Sequence, residues 1–296
     1  MKDKKENVHF LINPISGSGN KKNIENKILE YFKENSSRVN ISHTRESGNR
    51  EHLAKVLQEE KPDILAIAGG DGTVNMAGSM LIGKETKLGI IPMGSANGLA
   101  TSVGIPKNIE EALNIISSGK TRTIDAIRVN DSISFHISDF GLNANVIKRF
   151  EEDEQRGLLG YLKHFLAELF KVKGHKYKIE FEEKVLKTKA SMIFISNATQ
   201  FGTGATINPT GKIDDGKFEI IIVKSYKTRI LLRKIIKFLR GRINHTDFVE
   251  IISTRKARIH NTNNRVFQID GELAGRPDKV ELAIIPGSIR LLVKEG

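Results

Sequence analysis

The sequence predicts an α/β first domain with a parallel, three-layer sheet, followed by a second domain rich in antiparallel β-structure. Three observations predict it. Up to about residue 121, short apolar runs alternate with stretches of helical period, and the runs end in turn-rich loops. Beyond Thr121 the pattern becomes a succession of strand-like runs with only two convincing helical interruptions. The length, 296 residues, suits roughly two domains.

In chain order, residues 8–12 read as a first strand that runs into the turn-rich loop Asn13-Pro14-Ile15-Ser16-Gly17-Ser18-Gly19-Asn20. A helix is expected over about 21–35, with Ile24, Ile28, Leu29 and Phe32 on one face. Residues 39–44 form a second strand, and 49–60 a helix carrying Leu53, Val56 and Leu57. The apolar run Ile64-Leu65-Ala66-Ile67 is a buried strand. It leads through Ala68-Gly69-Gly70-Asp71-Gly72-Thr73-Val74-Asn75 into a helix over 74–82, with Thr73 near its start. A fourth strand over 87–91 ends at Pro92, Ser95 caps a short helix reaching Val103, and Asn108 caps a helix over 109–118 with Glu110 and Glu111 in its first turn. Strands are then expected at 122–130, 132–138, 177–182, 189–196, 218–224, 249–253 and 266–269, and helices at 158–172 and 227–240. The acidic run Glu151-Glu152-Asp153-Glu154 reads as a solvated loop or helix end.

There are no cysteines, which excludes disulfides and thiolate zinc sites. No apolar run approaches bilayer-spanning length and no signal-peptide core follows Met1, so a cytoplasmic chain is expected. The net charge of +12 asks for an anionic partner: a nucleotide, a nucleic acid or a membrane surface. Low aromatic content and the lack of an RNA-binding motif argue against nucleic acid.

In a parallel sheet the loops at 13–20, 44–48, 69–75 and 92–97 all leave strand carboxyl ends and converge on one crevice, where such folds bind ligands. Glycines around Asp71 let backbone approach a ligand, and the helix start favours an anion, so a phosphate is the natural guest. A carboxylate there also suits a metal ion or a hydroxyl nucleophile. A plain glycine-rich strand-to-helix turn is the competing reading. Two other motifs fail. Gly119-Lys120-Thr121 has Asn114 where a P-loop needs its first glycine, and Gly17-Ser18-Gly19 lacks the third glycine of a dinucleotide fingerprint.

Asn13-Pro14-Ile15-Ser16-Gly17, Gly69-Gly70-Asp71-Gly72-Thr73, Pro92-Met93-Gly94-Ser95-Ala96-Asn97-Gly98-Leu99-Ala100 and Asp270-Gly271-Glu272 occur in that order. Together this set resembles the diacylglycerol kinase catalytic-domain family, which includes bacterial lipid kinases, sphingosine kinases and ceramide kinases, over nearly the whole chain. The resemblance implies an ATP-binding domain of residues 1–127 with returning strands at about 280–296, and a β-sandwich lipid-substrate domain of residues 128–279. It implies ATP and Mg²⁺ as cofactors, with nucleotide contacts from Asn13, Ser16, Gly17, Thr44, Gly69, Gly70, Asp71, Gly72, Thr73, Asn75, Gly94, Ser95 and Asn97. Glu272 becomes the general base in an interdomain cleft, with Asp71 and Asp270 as the other catalytic acids. The segment 208–218 resembles the family's magnesium loop, with the carboxylate of Asp215 and the carbonyls of Lys212 and Lys217 as ligands. An Asp-Gly hairpin is the competing reading there. Asp125 joins Asp71 in carrying the metal's charge.

The sequence departs from most bacterial members at Ser95, usually Thr, and at Gly98, usually Asp, and here looks more like the sphingosine and ceramide kinase branch. Gly141-Leu142-Asn143-Ala144-Asn145-Val146 resembles the family's lipid-site strand, but carries Asn where sphingosine kinases have acids. A diacylglycerol-like or ceramide-like alcohol therefore fits better than a free sphingoid base. Residues 227–242 contain no acid and, wound as a helix, set Leu231, Leu232, Ile235, Ile236, Phe238 and Leu239 against Arg229, Arg233, Lys234, Lys237 and Arg240. That pattern suits either an anionic membrane surface or a core-packed helix with a solvated face. The expected partners are a lipid substrate and, peripherally, an anionic membrane, without nucleic acid; a homodimer is left open. An NAD kinase-like nucleotide kinase and a non-catalytic basic membrane- or nucleic-acid-binding protein on the same fold are the alternatives.

Overall fold

Short apolar runs become parallel strands in the first part of the chain and a meander of antiparallel strands in the rest. In chain order the elements begin β1 (Asn7–Ile12), α1 (Lys21–Phe32), β2 (Arg38–His43), α2 (Asn49–Glu59), β3 (Ile64–Gly69), α3 (Asp71–Leu81), β4 (Lys87–Pro92), α4 (Gly98–Ser102) and α5 (Ile109–Ser118). They continue with β5 (Lys120–Val129), β6 (Ser132–Ser134), β7 (Ile137–Phe140), β8 (His175–Phe181), β9 (Lys184–Ser196), β10 (Gln200–Phe201) and β11 (Ala205–Thr206). The last are β12 (Phe218–Lys224), β13 (Val249–Thr254), β14 (Lys256–His260), β15 (Phe267–Ile269), β16 (Glu272–Leu273) and β17 (Lys279–Val293). This computed structural model describes residues 6–15, 21–33, 37–140, 174–198, 200–201, 205–206, 208–225 and 249–295. The chain divides into two units, Met1–Ile124 with Gly287–Gly296, and Asp125–Pro286.

In the first unit the strand order is β2-β1-β3-β4-β17, and each neighbouring pair is parallel. Strand β3 is buried at every position, so both faces of the sheet are covered. A side chain added to Gly89 would meet Ile116 of α5 at 2.9 Å, on the face of Ala66, while one added to Gly69 would meet Thr73 of α3 at 3.0 Å. Ala66 and Gly69 differ by an odd number of residues, so α3 and α5 lie on opposite faces. Helix α2 packs with α3, and α1 with α5, which completes three layers.

The second unit is the expected β-sandwich. Strand β9 pairs along its first half with β8 and along its last residues with β7 and β12, while β14 bridges β8 and β17. Inward positions at period two build one core, including Phe140, Ile179, Ile193, Phe218, Ile259 and Phe267. The Phe140 and Phe267 rings sit 4.5 Å apart at its centre.

Several expectations change. Helix α1 stops at Phe32, and Leu29 is 53% exposed, outside the stripe formed by Ile24, Ile28 and Phe32. Helix α3 starts at Asp71, three residues before Val74, because Gly70 is extended and serves as its N-cap. The run 132–138 breaks into β6 and β7, since the amides of Phe135, His136 and Ile137 all donate to Asp270 instead of a neighbouring strand. Strand β14 went unread although its alternation is regular, because its outward residues are Lys256, Arg258 and His260. Asn108 does cap α5, accepting from the amides of Glu110 and Glu111. The expected helices at 158–172 and 227–240 lie outside the described residues, as do the segments 141–146 and 151–154.

Glu219 is buried in the sandwich, 2% exposed, and accepts hydrogen bonds from Asn208 Nδ2 at 2.7 Å and Ser253 Oγ at 2.9 Å. Burial pushes its carboxyl above the ordinary value of 4.5, against the pull of those two bonds. A carboxyl raised in the folded state destabilises when ionised, and that cost is relieved as pH falls through the folded value toward the unfolded one. Glu219→Gln keeps the shape and removes the charge. It is expected to raise the melting temperature at neutral pH by about 2–4 °C for a gain of about 1 kcal/mol. Melts across pH should show a flatter profile for the variant than for the wild type; an unchanged profile would show that Glu219 is not the titrating group.

Candidate functional site

The parallel register decides where the loops of the first unit emerge. Ile12 is level with His43 and Ala68, and Gly69 is level with Pro92, so the segments after β1, β2, β3 and β4 leave one edge of the sheet. The ladder extends one step into each loop through Asn13 N to Ala68 O, Thr44 N to Ile12 O and Met93 N to Gly69 O.

Beyond that edge the turns are locked to one another. Asn13 Nδ2 donates to Thr73 Oγ1 at 2.9 Å, tying the first loop to the opening turn of α3. Asn13 Oδ1 also accepts from the Ile15 amide, so the side chain sets its own loop. A side chain added to Gly94 would come 2.6 Å from Gly70 Cα, so the two glycine-bearing turns pass with no room for a β-carbon. Asp71 then joins them: its Oδ1 accepts from Gly98 N at 2.6 Å and its Oδ2 from Asn97 N at 2.9 Å. One carboxylate at the start of α3 therefore caps α4.

Two expectations for this edge need correction. Ser95 does not cap α4. The cap position is Asn97, held in the left-handed region at φ 54°, and Ser95 stands exposed in the bend before it. Nor does the Asn97 side chain offer a donor outward. It is 4% exposed and folded onto Gly94, accepting from that residue's amide and donating to its carbonyl, both at 2.7 Å. The turn presents Ser95 instead. Asn75 lies half-buried within α3, and Gly72 and Thr73 are in its first turn. Ser16 and Gly17 lie outside the described residues.

In the second unit, Asp270 sits at φ 47° and its carboxylate gathers donors from the β6–β7 link. Oδ1 accepts from Ser134 Oγ at 2.7 Å, Ile137 N at 2.9 Å and His136 N at 3.2 Å, and Oδ2 from Phe135 N at 2.9 Å. Asp270 therefore organises the link between β6 and β7 through charge-assisted hydrogen bonds. Gly271 follows at φ 91° and completes the β15–β16 turn. Its amide donates to Gln268 Oε1 at 2.7 Å, and Gln268 Nε2 donates to Asp139. Asp139 and Gln268 are both buried, so a polar chain from the sandwich interior fixes the turn that carries Glu272. Glu272 itself is exposed at the start of β16, where it pairs with Ile269, and its side chain makes no hydrogen bond with the described residues. Sequence reasoning missed Asp139, Gln268 and Ser134. A single acid inside the apolar strand Ile137–Phe140 was the available signal.

The loop before β12 is not a hairpin turn, since β12 pairs with β9 and β13. It is anchored to Asp125, 3% exposed, whose Oδ2 accepts from Gly216 N at 2.7 Å. Asn197 Nδ2 binds the carbonyls of Asp125 and Ile213. Asp215 is exposed and accepts from Lys217 N at 3.0 Å. Among the described residues no three His, Asp or Glu side chains gather as a metal cage. A site on this loop would rest on the Asp215 carboxylate and the carbonyls of Lys212 and Lys217, all hard oxygen donors of the kind magnesium takes.

With this geometry in view, the comparisons are specific. Residues 7–129 match the diacylglycerol kinase catalytic domain, and residues 137–293 match the YegS C-terminal NAD kinase beta sandwich-like domain. A Salmonella arizonae protein named "Probable lipid kinase YegS" is 29% identical, the match covering 85% of this chain and 85% of its own. A Chromohalobacter salexigens protein named "Probable lipid kinase YegS-like" is 27% identical over 86% of this chain and 83% of its own. A solved diacylglycerol kinase from Bacillus anthracis shares the fold with a TM-score of 0.78 at 21% identity, covering 99% of this chain and 98% of its own.

Proposed function

The chain belongs to the family that joins a diacylglycerol kinase catalytic domain to a YegS C-terminal NAD kinase beta sandwich-like domain, and on that premise we propose that it is an ATP-dependent lipid kinase. The acceptor is the hydroxyl of a diacylglycerol-like or ceramide-like alcohol. The observation that carries this reading is the locked pair of turns at the carboxyl edge of the parallel sheet, where Asp71 fixes the backbone of Asn97 and Gly98 beside the start of α3. Backbone amides at a helix start favour the phosphates of ATP, and the remaining contacts come from Asn13, Ser16, Gly17, Thr44, Gly69, Gly70, Gly72, Thr73, Asn75, Gly94 and Ser95.

Phosphoryl transfer is mostly positioning plus charge stabilisation. As the new bond forms between the lipid oxygen and the γ-phosphorus, the bond from that phosphorus to ADP breaks. The hydroxyl proton passes to Glu272, whose exposed carboxylate is held on the Asp139–Gln268–Gly271 chain. Asp270 supports that turn, and Asp71 acts by positioning the second glycine-bearing turn. Magnesium, when bound, supplies charge neutralisation. The 212–217 loop would hold one ion through Asp215 and the carbonyls of Lys212 and Lys217, with Asp125 anchoring that loop through Gly216. Among the described residues no helix is long and apolar enough to cross a membrane. The basic pattern of residues 227–242 suits an encounter with lipid at the surface of the bilayer.

Incubation with radiolabelled ATP, NAD and mixed diacylglycerol, ceramide and sphingosine, resolved by thin-layer chromatography, tests the reading. A labelled diacylglycerol or ceramide product that disappears on chelation of magnesium is expected. Label transferred to NAD and to no lipid would replace it with the nucleotide-kinase alternative.

A further inference from the structure

The outward face of β8, β9, β14 and β17 in the second unit carries rows of cations. Lys176 is paired with Lys189, and Lys178 with Lys187, across β8 and β9. The second row continues through His260 of β14, level with Lys178, to Lys279 of β17. The alternate residues Tyr177, Ile179, Ile259 and Val280 are buried in the sandwich core, so these side chains share the other face. Like charges directly opposite one another in a sheet destabilise it. Stability alone does not account for lysine set opposite lysine at Lys176–Lys189 and Lys178–Lys187.

The carboxylates lie in the next row and reach only part of the cations: Lys178, His260 and Lys279 each stand within ion-pair distance of one. Glu180 pairs with Lys178 and Arg258, and Glu281 with Arg258 and Lys279. The hydrogen bond from Lys178 to Glu180, and that from Lys279 to Glu281, hold both carboxyls below their ordinary value. Further acids, Glu182 and Glu183, sit in the turn at the far end of the hairpin. Lys176, Lys187 and Lys189 are exposed and form no ion pair among the described residues.

We propose that this lysine face docks the protein on an anionic lipid bilayer. The face is a multi-strand surface of point charges on long flexible stems, which suits a plane of lipid headgroups. A single-stranded nucleic acid would call for aromatic side chains to stack bases, and these rows contain none beyond His260. The choice of a bilayer rests on the lipid-kinase reading; the presence of an anion-docking face does not.

The test measures sedimentation of the full chain with vesicles of phosphatidylcholine, with and without phosphatidylglycerol, in the absence of ATP and acceptor, so that it succeeds or fails independently of kinase activity. The variant is Lys176→Glu with Lys187→Glu and Lys189→Glu. Each charge near an anionic surface contributes about fivefold in affinity, so the triple change is expected to weaken binding to phosphatidylglycerol vesicles at low salt by about 100-fold or more. Raised salt should weaken wild-type binding as well. A matched triple variant at Lys55, Lys84 and Lys107, exposed lysines of the first unit, should bind as wild type does. Because opposing lysines are relieved, the melting temperature of the face variant should not fall. Undiminished vesicle binding by a folded face variant, or an equal loss in the control variant, overturns the proposal. So does a loss confined to a short duplex DNA measured in parallel, which would assign the face to nucleic acid.

Discussion

Glu272→Gln is expected to lower lipid phosphorylation by about 10²–10⁴-fold, the usual contribution of a positioned general base, while ATP affinity stays near that of the wild type. The substitution keeps size and hydrogen-bonding shape and removes only the ability to accept a proton. The neighbourhood of Glu272 is built to hold an exposed carboxylate still: Gly271 turns through φ 91°, its amide is fixed by Gln268, and Gln268 is fixed by buried Asp139. None of those bonds involves the Glu272 side chain, so the variant should fold and melt as wild type does. Turnover and ATP binding are measured separately, the first on vesicle-borne lipid and the second by equilibrium titration. A folded variant that keeps more than about a tenth of wild-type turnover would remove Glu272 from the role of base, since the effect would then fall well below that of general-base catalysis.

The motifs were legible because each depends on local chemistry. A glycine beside an apolar run, a proline ending a strand and an asparagine ahead of an acidic helix start are all local, and the parallel sheet and the Asn108 cap follow from them, whereas the sandwich was implied by the family resemblance. What escaped were the contacts between segments far apart in the chain. Asp71 looked like a group facing a metal or a nucleophile, and nothing nearby in sequence reveals that its two oxygens take amides 26 and 27 residues later. Nor does anything near Asp270 in sequence reveal that Ser134, Phe135, His136 and Ile137, more than 130 residues earlier, donate to it. Helix boundaries slipped for a related reason. The start of α3 moved to Asp71 because Gly70 adopts an extended cap, a choice that the close approach of Gly94 helps to impose.

That close approach gives the second large effect. Gly94→Ala would place its new carbon 2.6 Å from Gly70 Cα and 2.9 Å from Asn97 Oδ1. Neither neighbour yields easily: the first is backbone, and the second is the buried side chain that holds Gly94 itself through two hydrogen bonds. The turns must therefore separate, and Asn97 and Gly98 carry their amides away from Asp71 as they do. Overpacking of this kind costs about 1–3 kcal/mol, which leaves most of the fold intact. Function should suffer more, because a misplacement of about 1 Å in a positioning element can cost on the order of 10²-fold in rate. Weaker ATP binding and a turnover lower by about that factor are expected, with a modest fall in melting temperature. Gly83→Ala separates local strain from site geometry. Gly83 is left-handed at φ 72° with open space around its missing side chain, so the change strains the backbone without pressing on any neighbour. It should lower the melting temperature and leave ATP binding unchanged. If folded Gly94→Ala protein binds ATP as the wild type does, the packing of Gly70 against Gly94 is not what shapes the nucleotide site.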